Sequence, residues 1–541
     1  MCIRDRDKAM LKINAHIHRF LVAASALALL GACSDKWDNH YDPDPSLVAA
    51  DQTVYEMVKS DPALSQFGKM IEVAGYADLL NTSQTFTLWV PDNRALADVD
   101  LTDVAEVKRI VANHMARFNI STANGASRGV RMYNGKVLYF DGASFGGARI
   151  TRSDIVLNNG VVHILGERIP YSYNIREYID THSNTTMIRE FLSRFDEERF
   201  DEASSAPIDI DENGNTVYDS VKVVYNRLFE HPVYGLGNIL AEDSVFTMVI
   251  PDDNAWTKAY SEISPLFKVY NADQAVADSI QQTQACLAIV RDLVFHQRIT
   301  DPLALGTLTA TSGSKIFDPL GLFRGSEQIQ ASNGMIYLSG SIDYPREQTY
   351  FKPVEVEAEN ANGRVRGANT IITTRTVGTS NPLFAEVSEG GYIELSGTSP
   401  STQPSVTFNL PDVLSGKYDI YAVFAPASIE DATVTGESTK LRFVLSYMGA
   451  NGRTARQTYT NNGFTTSPTE MTTIKVASGF QFPVSNFYDS LWLMDDANDE
   501  SAKTCTTTLF VQTNVSNSEF NSNKFVRRFR IDRIYLVPSE L

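Results

Sequence analysis

The sequence predicts a multidomain chain: two α+β units in tandem, followed by an all-β sandwich. Two observations predict it. The stretch Thr85–Leu96, Thr-Phe-Thr-Leu-Trp-Val-Pro-Asp-Asn-Arg-Ala-Leu, returns as Val245–Trp256, Val-Phe-Thr-Met-Val-Ile-Pro-Asp-Asp-Asn-Ala-Trp. Each reads as a buried strand stopped by proline, with an Asp placed to cap a following helix. The two prolines, Pro91 and Pro251, lie a domain's length apart, too far for a solenoid repeat. Beyond residue 350 helical periodicity is lost, and short alternating runs separated by Gly, Ser, Thr and Asn take over.

At 541 residues the chain is too long for one core. Its composition is that of a folded protein, 43% hydrophobic and 21% charged, with a formal net charge of −18. That balance argues against nucleic acid, and against anionic membrane surfaces, as the main partner. Cys2 and Cys33 precede the folded part, and Cys286 and Cys505 fall in different predicted domains. Nothing suggests a disulfide framework or a thiolate metal site.

Residues 1–33 read as a targeting segment, with Met10 a plausible start ahead of Lys12 and Arg19. The apolar run Phe20–Leu30 is too short to span a bilayer and ends in Leu-Gly-Ala-Cys33. That ending resembles a bacterial lipobox, which implies lipidation of Cys33. An ordinary signal peptide with a chance cysteine is the alternative. Residues 34–46 are acidic, aromatic and proline-punctuated, and read as a tether. They are similar to the surface-export signals of Bacteroidetes lipoproteins, or are a plain solvated linker.

Residues 47–172 hold the first copy. Apolar residues at helical spacing run over Val54–Ala74, divided by Pro62, and a further helical stretch covers Ala105–Phe118. Asn134–Gly135 and Asn159–Gly160 are hairpin signals. His114 and His163 sit in apolar surroundings without a partner motif, so both read as core residues. Residues 173–346 hold the second, enlarged copy. A charged helix is expected over Thr185–Glu202, and an extra helix around Ser264–Gln284. Asp209, Asp211, Asn213 and Gly214 match the start of a calcium loop, but Ser220 stands at its last position and the flanks alternate, so a hairpin around Asn213–Gly214 is the preferred reading.

More of the repeat can be followed. His114 in Ile110–Phe118 is matched with His296 in Ile289–Ile299. Asn159-Gly-Val-Val-His-Ile-Leu is matched with Asn333-Gly-Met-Ile-Tyr-Leu-Ser, each closing toward a proline. The order of strand, Pro-Asp, His-bearing segment and Asn-Gly closing strand resembles the fasciclin domain. The resemblance covers about two thirds of the chain and is stronger in the first copy. It departs from the family pattern at Asn113 and Phe295, where a Tyr usually precedes the His, and at Tyr337, which replaces His163. It implies a structural role for His114.

In residues 350–541, strands are expected at Tyr392–Leu395, Val406–Leu410, Tyr418–Phe424, Leu441–Tyr447, Thr507–Val511 and Phe529–Val537. The opening Val356-Glu-Ala-Glu359 and the closing Arg530-Ile-Asp532-Arg-Ile resemble jelly-roll carbohydrate-binding modules. The likeness departs from that pattern at Tyr392, which replaces the family's Trp, and a long connection is expected over residues 448–505. It implies Glu357, Glu359 and Asp532 as ligands of a structural calcium; three solvated carboxylates are the alternative. Sugar rings stack on exposed aromatics flanked by amides and carboxylates. Tyr447–Phe464, including Tyr459, and Phe480–Asp496, including Phe487, Tyr488 and Trp492, offer that mixture. Trp492 and Phe487 as a satellite core are the competing reading.

No nucleophile elbow, phosphate loop, zinc-protease or dinucleotide motif is present, so no enzyme is expected. A glycosidase carboxylate pair leaves no local spacing to find. The expectation is an outer-membrane lipoprotein facing the exterior. It would capture glycans beside a TonB-type polysaccharide-uptake complex. The alternatives are an adhesin that binds host or neighbouring-cell protein, a cell-surface or extracellular partner, through the fasciclin domains, and an unrecognised glycoside hydrolase.

Overall fold

The computed structural model describes residues 51–122, 128–140, 143–200, 206–210, 216–219, 222–230, 235–486 and 506–539. The leader, the tether and Cys33 lie outside the described residues, as do Phe487, Tyr488 and Trp492. The chain divides into two compact units, Met1–Tyr171 and Ser172–Leu541. Among the described residues no helix is long and apolar enough to cross a membrane.

In the first unit, helices Val54–Ser60 and Ser65–Ala74 lie on either side of Pro62. Thr53 and Glu56 close the first helix start in a reciprocal capping box. Strand Phe86–Pro91 is buried along its whole length. It pairs in parallel with Gly160–Leu165 and antiparallel with Met115–Arg117, which explains why it reads as a continuous apolar run. The seven-stranded sheet continues through Ala148–Leu157, Ser144–Phe145 and Val137–Phe140 to Arg128–Arg131. The expected helix over Ala105–Phe118 is instead Val104–Asn113, because Met115–Arg117 is taken up as a strand beside Phe86–Leu88.

The second copy repeats this plan. Phe246–Pro251 pairs in parallel with Gly334–Ser339 and antiparallel with Val294–Phe295, and Glu327–Ala331 flanks Gly334–Ser339. The registers correspond: Phe86 faces Gly160, and Phe246 faces Gly334. The Asp after each proline caps the next helical turn. Asp92 accepts from Arg94 and Ala95 N–H over a single 3-10 turn, and Asp252 accepts from Ala255 N–H over the helix Asp253–Ile263. The enlargement is therefore this added helix together with a longer one after it, Gln274–Val290.

One expectation in this region is corrected. The helix expected over Thr185–Glu202 stops at Ser193, and Asp196–Phe200 becomes a strand paired with Lys222–Asn226. Buried Arg176 holds that junction, bonding Asp180 at 2.9 Å and Asp196 at 2.6 Å. Ala206–Ile210 and Thr216–Asp219 pair antiparallel, as a hairpin requires; the intervening residues of the calcium-loop match lie outside the described residues.

From Val354 onward the second unit holds two antiparallel sheets. One is ordered Thr370–Thr376, Gly391–Gly397, Arg528–Pro538, Lys417–Ala425, Thr472–Gln481, with Val354–Glu357 also on Arg528–Pro538. The other is Arg364–Arg366, Ser405–Asn409, Thr508–Thr513, Lys440–Met448, Thr454–Thr465. Ile393, Leu395 and Ile531 of the first share a core with Phe408, Phe443 and Leu509 of the second. The long connection expected after residue 448 is in large part sheet. Its alternating Thr-Ala-Arg-Gln-Thr-Tyr-Thr run forms Thr454–Thr465, and Thr472–Gln481 joins the other sheet. The same core continues into Leu266, Phe267 and Phe351, and Ser415 N–H donates to the Leu266 carbonyl at 2.7 Å.

Candidate glycan face and carboxylate cluster

The buried histidines are the first residues to place. His114 is fully buried. Its Nδ1 contacts the Ile110 carbonyl at 2.7 Å, and its Nε2 accepts from Ile169 N–H at 3.1 Å. These partners fix the neutral tautomer with the proton on Nδ1. Burial pushes its pKa down to about 4. His163 accepts from Asp154 N–H at Nδ1 and meets the Ile120 carbonyl at Nε2, 2.8 Å away; burial lowers its pKa too. Both rings occupy their nitrogens with backbone partners, which leaves neither free for ligand or catalysis.

The structure shifts the match between copies. Trp89 N–H donates to the His114 carbonyl, and Val249 N–H donates to the Leu293 carbonyl. The residue equivalent to His114 is therefore Leu293, three positions before His296, which is exposed and packs on Phe246.

Cys286 is buried in the helix Gln274–Val290, and burial pushes its thiol up to about 12, so it is an inert core residue.

Tyr447 and Tyr459 are half-buried and pack against the sheet core. They share the inward face with Phe443 and Leu445, because side chains alternate along a strand. Tyr447 meets Phe480 and Phe482 edge-on. These two tyrosines border the core.

The opposite face of the same sheet carries a different set. One row across it is Val365, Thr407, Phe510, Val444 and Thr458. The row on one side is Ser405, Gln512, Arg442 and Thr460; on the other, Asn409, Thr508, Ser446 and Arg456. Phe510 is half-buried at the centre, and Val365 is 62% exposed at the edge. Arg442 lies over the Phe510 ring at 5.8 Å and donates from Nε to Gln512 Oε1 at 2.8 Å. An aromatic ring amid hydroxyls, amides and a guanidinium offers both stacking and hydrogen bonding. Phe510 sits in an apolar alternation and gave no sign in sequence of pointing outward; only the register assigns it to this face.

The two chain ends expected to meet do so: Val354–Glu357 pairs with Arg528–Pro538, with Glu357 opposite Arg533. Asp532 is fully buried; its Oδ1 accepts from Ser388 N–H at 3.1 Å, and its Oδ2 has no hydrogen-bond partner. Glu357 accepts from the Ser388 hydroxyl at 2.6 Å, while its Oε2 and that of Glu359 are buried without a hydrogen bond. Burial, and after it the charges of Glu357 and Glu359, push Asp532 up to about 7 against the pull of Ser388 N–H and Arg533. Burial also raises Glu357. Three orphan carboxylate oxygens are donors that suit a hard cation. They do not form a cage by themselves: among the described residues, no group of three or more His, Cys, Asp and Glu is arranged to hold a metal ion. Further ligands would have to be backbone or amide oxygens.

Comparison with known proteins bears on the first unit. Residues 62–169 match the family model of the fasciclin domain. This stretch holds strand Phe86–Pro91, His114 and the closing strand Gly160–Leu165. The chain is also similar to the fasciclin-domain pair of the insect cell adhesion molecule fasciclin I, at 13% identity and TM-score 0.19, covering 53% of this chain and 98% of that one. A xylan-binding domain from Paenibacillus barcinonensis matches at 10% identity and TM-score 0.20, covering 35% of this chain and 94% of that one. A family 35 carbohydrate-binding module from Clostridium thermocellum matches at 12% and 0.19, covering 35% and 99%. TM-scores this low carry no argument about function. No curated protein matches.

Proposed function

We propose that this chain is a binding protein that captures glycans on the outward face of the five-stranded sheet. The observation that carries the reading is Phe510, set at the centre of a face whose other side chains are hydroxyls, amides, arginines and small apolar groups. Sugar rings present an apolar C–H face and a rim of hydroxyls, and a ring with polar neighbours answers both. In this reading the Glu357, Glu359 and Asp532 cluster is where a structural calcium would draw the two chain ends together. Lipidation at Cys33, display on the outer membrane and association with a TonB-type uptake complex belong to the same proposal and rest on sequence resemblance alone. We take the chain to be a binding protein rather than an enzyme.

Phe510→Ala should weaken retention on a polysaccharide affinity gel about tenfold, or about 1.4 kcal/mol, with little change in melting temperature. Tyr447→Ala should mainly lower the melting temperature, since that ring packs on Phe480 and Phe482. The reverse pattern would move the site to the core-border aromatics. A second reading, an adhesin acting through its fasciclin domain, is supported by the match at residues 62–169. It predicts that retention on cells is carried by the first unit and is untouched by Phe510→Ala.

A further inference from the structure

Charge on the two sheets is distributed differently. On the six-stranded sheet three cations are neutralised: Arg530 meets Glu394 at 2.6 Å, Arg533 meets Glu355 at 2.5 Å, and Lys475 meets Asp419 at 2.7 Å. The three rows of the five-stranded sheet's outward face contain Arg442 and Arg456 and no Asp or Glu. That stands out in a chain with 65 acidic and 47 basic residues, whose bulk field repels anions. The next cation along the strand, Lys440, is paired with Glu519 at 2.6 Å, so neutralisation resumes at the margin.

Arg442 is held ready rather than satisfied by charge. Its partners are the neutral amide of Gln512 and the face of Phe510. A guanidinium kept in place by a neutral acceptor and a π face retains its full charge for an incoming anion. Arg456 lies opposite Ser446 on the neighbouring strand, four residues along from Arg442, or about 14 Å at the strand repeat. The two positions thus lie far enough apart along the sheet to meet separate anionic groups on an extended polymer, with Phe510 on the row between them.

We propose that the glycan taken by this face is anionic, a polysaccharide carrying carboxylate or sulfate groups along its chain; this rests on the glycan reading above. Phe510 stacks a sugar ring, and Arg442 and Arg456 pair with acidic groups on either side of it. A bidentate guanidinium–carboxylate pair supplies strength and orientation that a neutral glycan cannot obtain here.

The test is affinity electrophoresis of the full chain through gels containing alginate, polygalacturonate, chondroitin sulfate, xylan or a neutral β-glucan, at low and high salt. Retardation by at least one acidic polymer is expected, stronger than by the neutral gels and falling as salt rises. Arg442→Gln should weaken it about tenfold, the worth of one charge-assisted hydrogen bond, and Arg456→Gln should weaken it less. Both variants should keep the parent melting temperature. Retardation by neutral gels alone would overturn the anionic assignment and leave glycan capture standing. Retardation by none would remove both. Acidic-polymer binding unchanged in the Arg442→Gln, Arg456→Gln double variant would overturn the assignment to this face. Equal retention on duplex DNA or anionic vesicles would show plain charge attraction and overturn the polysaccharide claim.

Discussion

The two copies build the same sheet and satisfy its buried backbone with different chemistry. In the first, His114 meets the carbonyl of Ile110; in the second, Tyr344 Oη donates to the equivalent carbonyl of Ile289 at 2.9 Å. His163 meets the Ile120 carbonyl, and Tyr337 Oη donates to the equivalent Ile299 carbonyl at 3.0 Å. The anchors around these positions are the same in both copies in atomic detail. Thr87 donates to the Phe118 carbonyl and accepts from Ile120 N–H, as Thr247 does with Gln297 and Ile299. Asn159 bonds Val54 N–H and the Leu80 and Thr82 carbonyls; Asn333 bonds Ile175 N–H and the Ile239 and Ala241 carbonyls. The fold demands that each buried polar group find a partner, but not a particular side chain. The choice has a consequence: imidazole titrates in mild acid, whereas burial raises the pKa of Tyr337 and moves that of Tyr344 well above the ordinary value.

The largest effect should come from what the copies share. A Cβ on Gly160 would stand 2.0 Å from the Phe86 carbonyl oxygen, and one on Gly334 would stand 1.7 Å from that of Phe246. Gly160→Ala and Gly334→Ala must each part the parallel strand pair, and should cost more than about 3 kcal/mol. Hydrogen exchange of Phe86–Pro91 and Phe246–Pro251 would report each separately. Equal tolerance of both would show that the close approach is not required.

The second effect separates the first copy from the C-terminal sheets by pH. His114 has a folded pKa near 4, below its unfolded value of about 6.5. The unfolded chain therefore binds the proton first, and stability present above pH 6.5 is lost as pH falls toward 4. The loss amounts to about 3 kcal/mol from this group alone. Asp532 runs the other way. Its folded pKa, about 7, exceeds the unfolded value, so its contribution is present in acid and is lost as pH rises through 7. In chelator, exchange protection of Phe86–Pro91 should fall between pH 6.5 and 4, while that of Arg528–Pro538 should fall as pH rises from about 4 to 7. Added calcium should restore only the latter. His114→Ala should flatten the acid limb, and an unchanged limb would reassign it to other groups.

The smallest effect tests the substitution itself. Tyr344→Phe leaves the Ile289 carbonyl without its phenol and should cost about 1–3 kcal/mol, with no new pH dependence. A cost near zero, read from a denaturant melt, would mean that water replaces the hydroxyl.

Much of this was legible in sequence. Pro62, the Pro-Asp caps and the alternating runs of the last 190 or so residues marked helices and strands where they stand, because those signals act within a few residues. The fasciclin match at residues 62–169 agrees with the motif reading of the first copy. The pairing of His114 with His296 failed because side-chain identity was aligned, while the backbone equates His114 with Leu293. Tyr447 and Tyr459 looked like loop aromatics because the strand Thr454–Thr465 was read as a connection. Once it is paired with Lys440–Met448, alternation turns both inward.

By itself the sequence determined the repeat, the positions of the prolines and glycines, and the alternation of apolar residues. These are local constraints on φ, hydrogen bonding and burial, and each is written in adjacent residues. Tertiary structure decided which strands became neighbours. That placed Phe510 between Arg442 and Arg456 on one outward face, and brought Asp532 beside Glu357 from the other end of the domain. Such juxtapositions depend on strand register between distant segments. Register is set by how two faces bury their apolar rows together, and no single stretch of chain contains that information.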